Sequence, residues 1–196
     1  MVLIMNTENM IEYIQKNLNR PIVLTGMMGT GKSQLGRKLA DTLNLNFYDS
    51  DSCVEEKAGC SVAEIFERFG EQKFRRAEKN TILELLEKGP CIIATGGGAV
   101  MTEGTQEALL SRSHSIWVKS TLDDIMLRVS KNQNRPLLQN DDPQQVLKDV
   151  LKARQETYAR APIHIDNPNN QLQITLENLI NRLCDHIKAS NNASDE

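Results

Sequence analysis

Apolar and polar positions along the chain alternate between two periods. Between residues 7 and 18, Met10, Ile11, Ile14 and Leu18 recur at the spacing of one helical face. Residues 21 to 25 enclose Ile22-Val23-Leu24, a continuous apolar run of the length expected for a buried strand. A glycine-rich stretch follows, and then Leu35, Leu39 and Leu43, at steps of four, predict a helix. A second strand is expected over 46 to 49, and short helices over 52 to 58 and 61 to 69. A longer helix over 73 to 88 is closed by Gly89-Pro90. Cys91 to Thr95 reads as a third strand running into Gly96-Gly97-Gly98. Next come a helix near 103 to 111, a strand over 114 to 119 and a helix over 121 to 130. After a polar stretch from Lys131 to Pro143, a helix over 143 to 160, a strand from Ile163 to Asp166 and a last helix over 172 to 188 complete the pattern.

Strands that alternate with helices predict an α/β protein, a parallel sheet covered on both faces. The 196 residues are enough for one domain with a sizeable core. Three parts are expected: an N-terminal extension over 1 to 20 that forms a helix, a main domain over 21 to 188, and a polar, disordered tail over 189 to 196. A packing role or a loose leader accounts for the extension. The polar stretch over 131 to 143 is long for a connection in such a domain, and loops of this kind act as lids or binding loops.

Composition narrows the function. Hydrophobic residues make up 39% and charged residues 25%, with a net charge of −3, so nothing in the overall balance favours nucleic acid or an anionic membrane. An aromatic content of 4% is too thin for a base-stacking surface. No run approaches the ~20 apolar residues of a membrane span, and the short apolar start is followed by Glu8, unlike a signal peptide. Cys53, Cys60, Cys91 and Cys184 show neither zinc-site nor disulfide spacing, and free thiols point to a reducing, cytoplasmic setting.

The chemistry begins at Gly26-Met27-Met28-Gly29-Thr30-Gly31-Lys32-Ser33, which fits G-x-x-x-x-G-K-[ST] between a strand and a helix. Glycines let successive backbone N–H groups turn toward phosphate oxygens, and the helix N-terminus adds favourable partial charge. Lys32 is expected to reach the β- and γ-phosphates, and the Ser33 hydroxyl to ligate Mg²⁺. Three further features fall at the carboxyl ends of predicted strands or on helices facing them, where open α/β sheets bind ligands. Asp49-Ser50-Asp51 serves a magnesium shell and a hydroxyl acceptor, or caps the next helix. Gly96-Gly97-Gly98 marks close approach of a ligand to the backbone, or a tight turn. Arg75 and Arg154 lie on otherwise apolar helix lines, and suit either bidentate capture of a substrate carboxylate or internal salt bridging. Glu78, three residues on, is a partner for Arg75.

Taken in order, several segments resemble shikimate kinase over about residues 21 to 185. They are the loop from Gly26 to Ser33, the pair Asp49 and Asp51, Phe74-Arg75-Arg76-Ala77-Glu78, Gly96-Gly97-Gly98-Ala99-Val100, Asn134-Arg135-Pro136-Leu137-Leu138, and Arg154 with Tyr158. The resemblance implies a three-layer α/β/α fold of the P-loop, nucleoside-monophosphate-kinase type, with a five-stranded parallel sheet and a mobile lid. It implies transfer of the γ-phosphoryl group of ATP to the 3-hydroxyl of shikimate, on the route to chorismate and the aromatic amino acids. Lys32, Asp51 and Arg135 would be catalytic. Gly29, Thr30, Gly31, Lys32, Ser33, Gln34 and Arg135 would bind the nucleotide, and Ser33 and Asp49 would hold Mg²⁺. Asp51, Arg75, Gly97, Gly98 and Arg154 would bind shikimate, the two arginines on its carboxylate. The segment from Asp166 to Pro168 lies where the family contacts adenine. A monomer acting on small molecules alone is expected. The alternatives are another small-metabolite kinase, for gluconate or a nucleoside monophosphate, and a non-catalytic nucleotide-binding interaction module.

Overall fold

The computed structural model describes residues 6–130 and 142–192. Helix α1 (Thr7–Asn17) leads into β1 (Ile22–Thr25) and α2 (Lys32–Leu43). Strand β2 (Phe47–Asp49), α3 (Ser50–Ala58) and α4 (Val62–Leu86) follow, then β3 (Ile92–Ala94) and a single 3₁₀ turn over Ala99–Met101. The remaining elements are α5 (Thr105–Arg112), β4 (His114–Lys119), α6 (Leu122–Val129), α7 (Pro143–Ala159), β5 (Ile163–Asp166) and α8 (Leu172–Asn192).

All five strands run parallel in the order β2-β3-β1-β4-β5. Strand side chains alternate between the two faces, which divides the core in two. Ile22, Leu24, Ile92, Ile116 and Val118 pack with α2 and α8, and with Ile14 of α1. Val23, Ile93 and Trp117 face the other way, against Ile82 and Leu85 of α4, Leu109 of α5 and Tyr158 of α7. Because both faces are covered, the strands carry unbroken apolar runs rather than alternating ones. Helix α1 is a packing helix: Ile14 is fully buried, and Met10 and Ile11 lie against the same cluster.

The described elements follow the sequence reading, with one boundary moved. The helices expected over 61 to 69 and 73 to 88 both form and meet within α4 at a break at Gly70, whose φ of 79° and ψ of 166° are non-helical. A capping box of Ser61 and Glu64 starts it. The closing helix does not stop at 188 but continues to Asn192, where Ser190 bonds back to the His186 carbonyl; the rest of the expected tail, 193–196, lies outside the described residues. The expected lid over 130 to 143 lies almost wholly outside the described residues, as does Arg135. Among the described residues, no helix is long and apolar enough to cross a membrane.

Candidate active site

The carboxyl ends of the five strands share one edge of the sheet, and nearly every predicted site residue gathers there. The loop after β1 turns through Gly31, whose φ of 85° lies in the left-handed region and which is the N-cap of α2. A Cβ at Gly31 would sit 2.5 Å from the Asn167 amide nitrogen. No side-chain cap hydrogen bond closes the start of α2, so its first N–H groups face the loop as an anion site. Lys32 is buried, and its ammonium donates to the carbonyls of Gly26 and Met27, each at 2.8 Å. Thr30 bonds back to the Met27 carbonyl at 2.8 Å, and Gln34 is exposed on the first turn.

Asp49 performs two tasks at the end of β2. Its Oδ1 accepts from the Asp51 backbone N–H at 3.2 Å, capping α3, and its Oδ2 accepts from the Ser33 hydroxyl at 2.6 Å. The helix-cap reading therefore holds for this carboxylate, which at the same time bonds the serine of the phosphate loop. Ser50, fully buried, accepts from the Gly96 N–H at 3.0 Å and ties the glycine bend to β2.

The three glycines after β3 are set by close approach. A Cβ on Gly96 would collide with Glu78 Oε1 and come within 2.6 Å of Asp51 Oδ1. One on Gly98 would lie 2.6 Å from Arg75 Nη2, and one on Gly97 would lie 3.1 Å from the Met28 backbone nitrogen in the phosphate loop. Asp51 Oδ1 and Glu78 Oε1 are both buried without a hydrogen-bond partner. Two orphan acceptor oxygens thus converge beside Gly96, an arrangement that hydroxyl donors would satisfy. Burial, and then the charge of Asp49, push the Asp51 carboxyl above the usual range, against the pull of Lys32 and Arg75. Burial likewise pushes Glu78 up, although Arg75 opposes it.

Arg75, on α4, pairs with buried Glu78 at 2.8 Å and with exposed Glu71 at 3.2 Å. Burial works against its charge, but the bonds and charge of Glu78, followed by those of Glu71, outweigh it and hold the guanidinium firmly protonated. Internal pairing thus accounts for part of its position. Arg154, on α7, has a different setting: its Nη1 donates at 3.0 Å to the Gly97 carbonyl, which also accepts from the Tyr158 hydroxyl. Glu78 lies within the electrostatic reach of both arginines.

Two further residues act at this edge: Arg128, which escapes sequence reasoning, and Asn167, which falls inside the Asp166–Pro168 segment. Arg128 of α6 donates to the carbonyls of Gly29 at 3.2 Å and Asn167 at 2.8 Å and to Ser120 Oγ at 2.9 Å. Asn167, buried after β5, donates through its amide to the Thr30 carbonyl at 2.8 Å. Together they brace the phosphate loop from the far side, Asn167 from within the Asp166–Pro168 segment expected near adenine. Their partners lie 99 and 137 positions away in the chain, and no local motif signals them.

A phosphate loop leaving the central strand, the parallel order around it, and helices on both faces place the chain among the P-loop kinases of three-layer α/β/α architecture. A family model described as shikimate kinase matches residues 28–188. A shikimate kinase of Brucella canis is 41% identical over 190 residues, 96% of this chain and 95% of its own length, so the likeness reaches into the N-terminal segment. The solved shikimate kinase of Acinetobacter baumannii in complex with shikimate superposes with a TM-score of 0.80 at 32% identity, covering 92% of this chain and 98% of that one. The chain belongs to the shikimate kinase family. A gluconokinase of Sinorhizobium meliloti, at 15% identity and a TM-score of 0.59 over 89% of this chain and 97% of its own, shares the fold alone.

Proposed function

We propose that this chain transfers the γ-phosphoryl group of ATP to the 3-hydroxyl of shikimate, yielding shikimate 3-phosphate and ADP on the route to chorismate. The observation that carries the reading is the meeting, at one sheet edge, of a phosphate loop with a glycine bend ringed by Asp51, Glu78, Arg75 and Arg154. Such a ring matches a small acceptor that has both hydroxyls and a carboxylate. Family membership supplies the identity of the acceptor.

The phosphate loop and the first turn of α2 hold the triphosphate. Lys32 exchanges its two loop carbonyls for phosphate oxygens as these arrive. Arg75 and Arg154 bind the acceptor's carboxylate, Arg75 keeping its Glu78 bond as a brace. Gly97 and Gly98 let the acceptor lie against the backbone. Asp51 takes the hydrogen bond of the attacking hydroxyl, and its raised carboxyl sits closer to neutrality than an exposed aspartate, which suits a group that also receives that proton. Phosphoryl transfer has a loose transition state, so alignment and charge stabilisation supply most of the catalysis. Arg135, in the segment proposed as the lid, adds a further cation over the phosphates.

The donor set fits magnesium. The Ser33 hydroxyl and Asp49 carboxylate are adjacent hard oxygens, and Mg²⁺ characteristically takes one or two protein oxygens and leaves the rest of its shell to phosphate and water. When bound, the ion offsets charge on the phosphate oxygens. In this reading the enzyme works as a cytoplasmic monomer on two small molecules, with neither nucleic acid nor membrane as partner.

The test is ADP release by the purified chain with ATP and Mg²⁺, supplied in turn with shikimate, gluconate, nucleoside monophosphates or no acceptor. Release that depends on shikimate is expected. Release with gluconate or a nucleotide instead, or none with any acceptor, contradicts the assignment and favours a sibling kinase or a non-catalytic module.

A further inference from the structure

The carbonyl of Gly97 has two donors of different kinds. Arg154 Nη1 reaches it at 3.0 Å, and the Tyr158 hydroxyl donates to the same oxygen. A carbonyl has two lone pairs, so both bonds are held together. Gly97 in turn abuts the phosphate loop, its Cα hydrogens facing the Met28 nitrogen and the Gly26 carbonyl. The orientation of this one peptide therefore shapes the floor between donor and acceptor.

The two donors are not equally free. Tyr158 is 1% exposed, and its ring stacks on Trp117 at a centroid distance of 6.0 Å and an interplanar angle of 25°. Burial pushes its phenol up from the ordinary value, although Arg154 pulls the other way. Arg154 is only half-buried, and in the function proposed above it turns its donors to the acceptor's carboxylate. A guanidinium that does so withdraws from Gly97 in whole or in part.

We propose that Tyr158 is a positioning residue for the transfer: it retains the Gly97 carbonyl, and with it the bend facing the phosphate loop, while Arg154 engages the acceptor. This rests on the proposed function. It also sets out an asymmetry. In the free enzyme Arg154 still holds Gly97 if the Tyr158 hydroxyl is lost; in the acceptor complex nothing does.

Tyr158→Phe keeps the stacked ring and removes only the hydroxyl. Calorimetry on the full chain is expected to show shikimate affinity and the shikimate KM weakened about tenfold, the scale of one lost hydrogen bond. The ATP affinity without acceptor is expected to stay within twofold of wild type, because Arg154 then holds the bend. A merely structural tyrosine would weaken both ligands alike. Shikimate affinity within twofold of wild type, or ATP affinity falling as far as shikimate affinity, overturns the role. A second readout needs no variant: the carbonyl ¹³C shift of Gly97 in labelled wild-type protein is expected to keep its hydrogen-bonded value at saturating shikimate, and a move to the unbonded value overturns the proposal. Wild-type protein that binds no shikimate overturns the functional assignment and this role together, whereas normal binding by Tyr158→Phe overturns this role alone.

Discussion

Asp51→Asn should make the protein more stable and much less active. In the folded chain Asp51 Oδ1 is buried and unpartnered, Asp49 lies two residues away in the same cap, and Glu78 Oε1 points at the same spot beside Gly96. Burial and then Asp49 raise the Asp51 carboxyl above its ordinary 3.8. An acid raised on folding favours the native state when protonated, so its contribution is greatest below that ordinary value and is lost as pH rises through the folded one. Near neutral pH the charge costs stability, and an amide of the same shape removes the cost. The gain should be of the size seen when one unfavourable group is relieved, about 1 kcal/mol, or ~2–4 °C in Tm for a chain of this length. Loss of a group that aligns the hydroxyl and takes its proton should lower kcat by about 10²–10⁴-fold. Thermal melts at pH 8 and at acidic pH, beside initial rates, make the assay. The stability advantage should shrink as pH falls through the folded value and vanish below 3.8, where the wild-type carboxyl becomes neutral in both states. A variant less stable than wild type at pH 8, or one with unchanged kcat, would refute the reasoning.

Arg154→Ala should raise the shikimate KM by about 30-fold or more, as befits a lost charge-assisted pair, with a smaller effect on ATP; an unchanged shikimate KM would remove the carboxylate assignment. Asn167→Ala frees the Thr30 carbonyl from its 2.8 Å bond, and should raise the ATP KM about fivefold while acceptor binding without ATP stays constant. At the opposite end of the sheet, burial, and then His186 and Arg20, hold His114 down at about 4, with its ring set edge-on to His186 at 5.3 Å. A histidine kept neutral by folding stabilises above its ordinary 6.5 and loses that contribution as pH falls toward 4. Wild-type stability should therefore drop by about 2 kcal/mol between pH 7 and pH 5 on this account, and urea midpoints of His114→Asn should show a clearly flatter dependence.

What the sequence made legible was whatever is local. The phosphate loop declares itself because its glycines, lysine and serine act within eight consecutive residues between a strand and a helix. Asp49, Asp51 and the glycine bend fall at strand ends, which the alternation of elements already locates. Arg75 and Arg154 stood out as cations on apolar helix lines, but their environments were undecided. The fold shows that Arg75 is partly committed to Glu78 and Glu71, while Arg154 rests on a backbone carbonyl. Glu78 looked like a salt-bridge partner, and only the close packing at Gly96 shows that its second oxygen faces the acceptor floor beside Asp51. Arg128 was not readable as a site residue, and Asn167 and Tyr158 were met only as parts of named segments with no contact assigned, since the strand order brings their partners to the edge from distant parts of the chain. The overrun of α8 to Asn192 has a similar cause. Its polar end looks unstructured by composition, yet the helix continues from a face anchored by Leu183, Cys184 and Ile187 in the core.

The most direct measurement is a crystal structure of the chain with ADP and shikimate bound. The account predicts the acceptor's carboxylate within hydrogen-bond distance of both Arg75 and Arg154, its 3-hydroxyl on Asp51, and its ring over Gly97 and Gly98 facing the phosphate loop. A carboxylate seated away from both arginines, with Arg75 wholly committed to its two glutamates and Arg154 unmoved from Gly97, would contradict it.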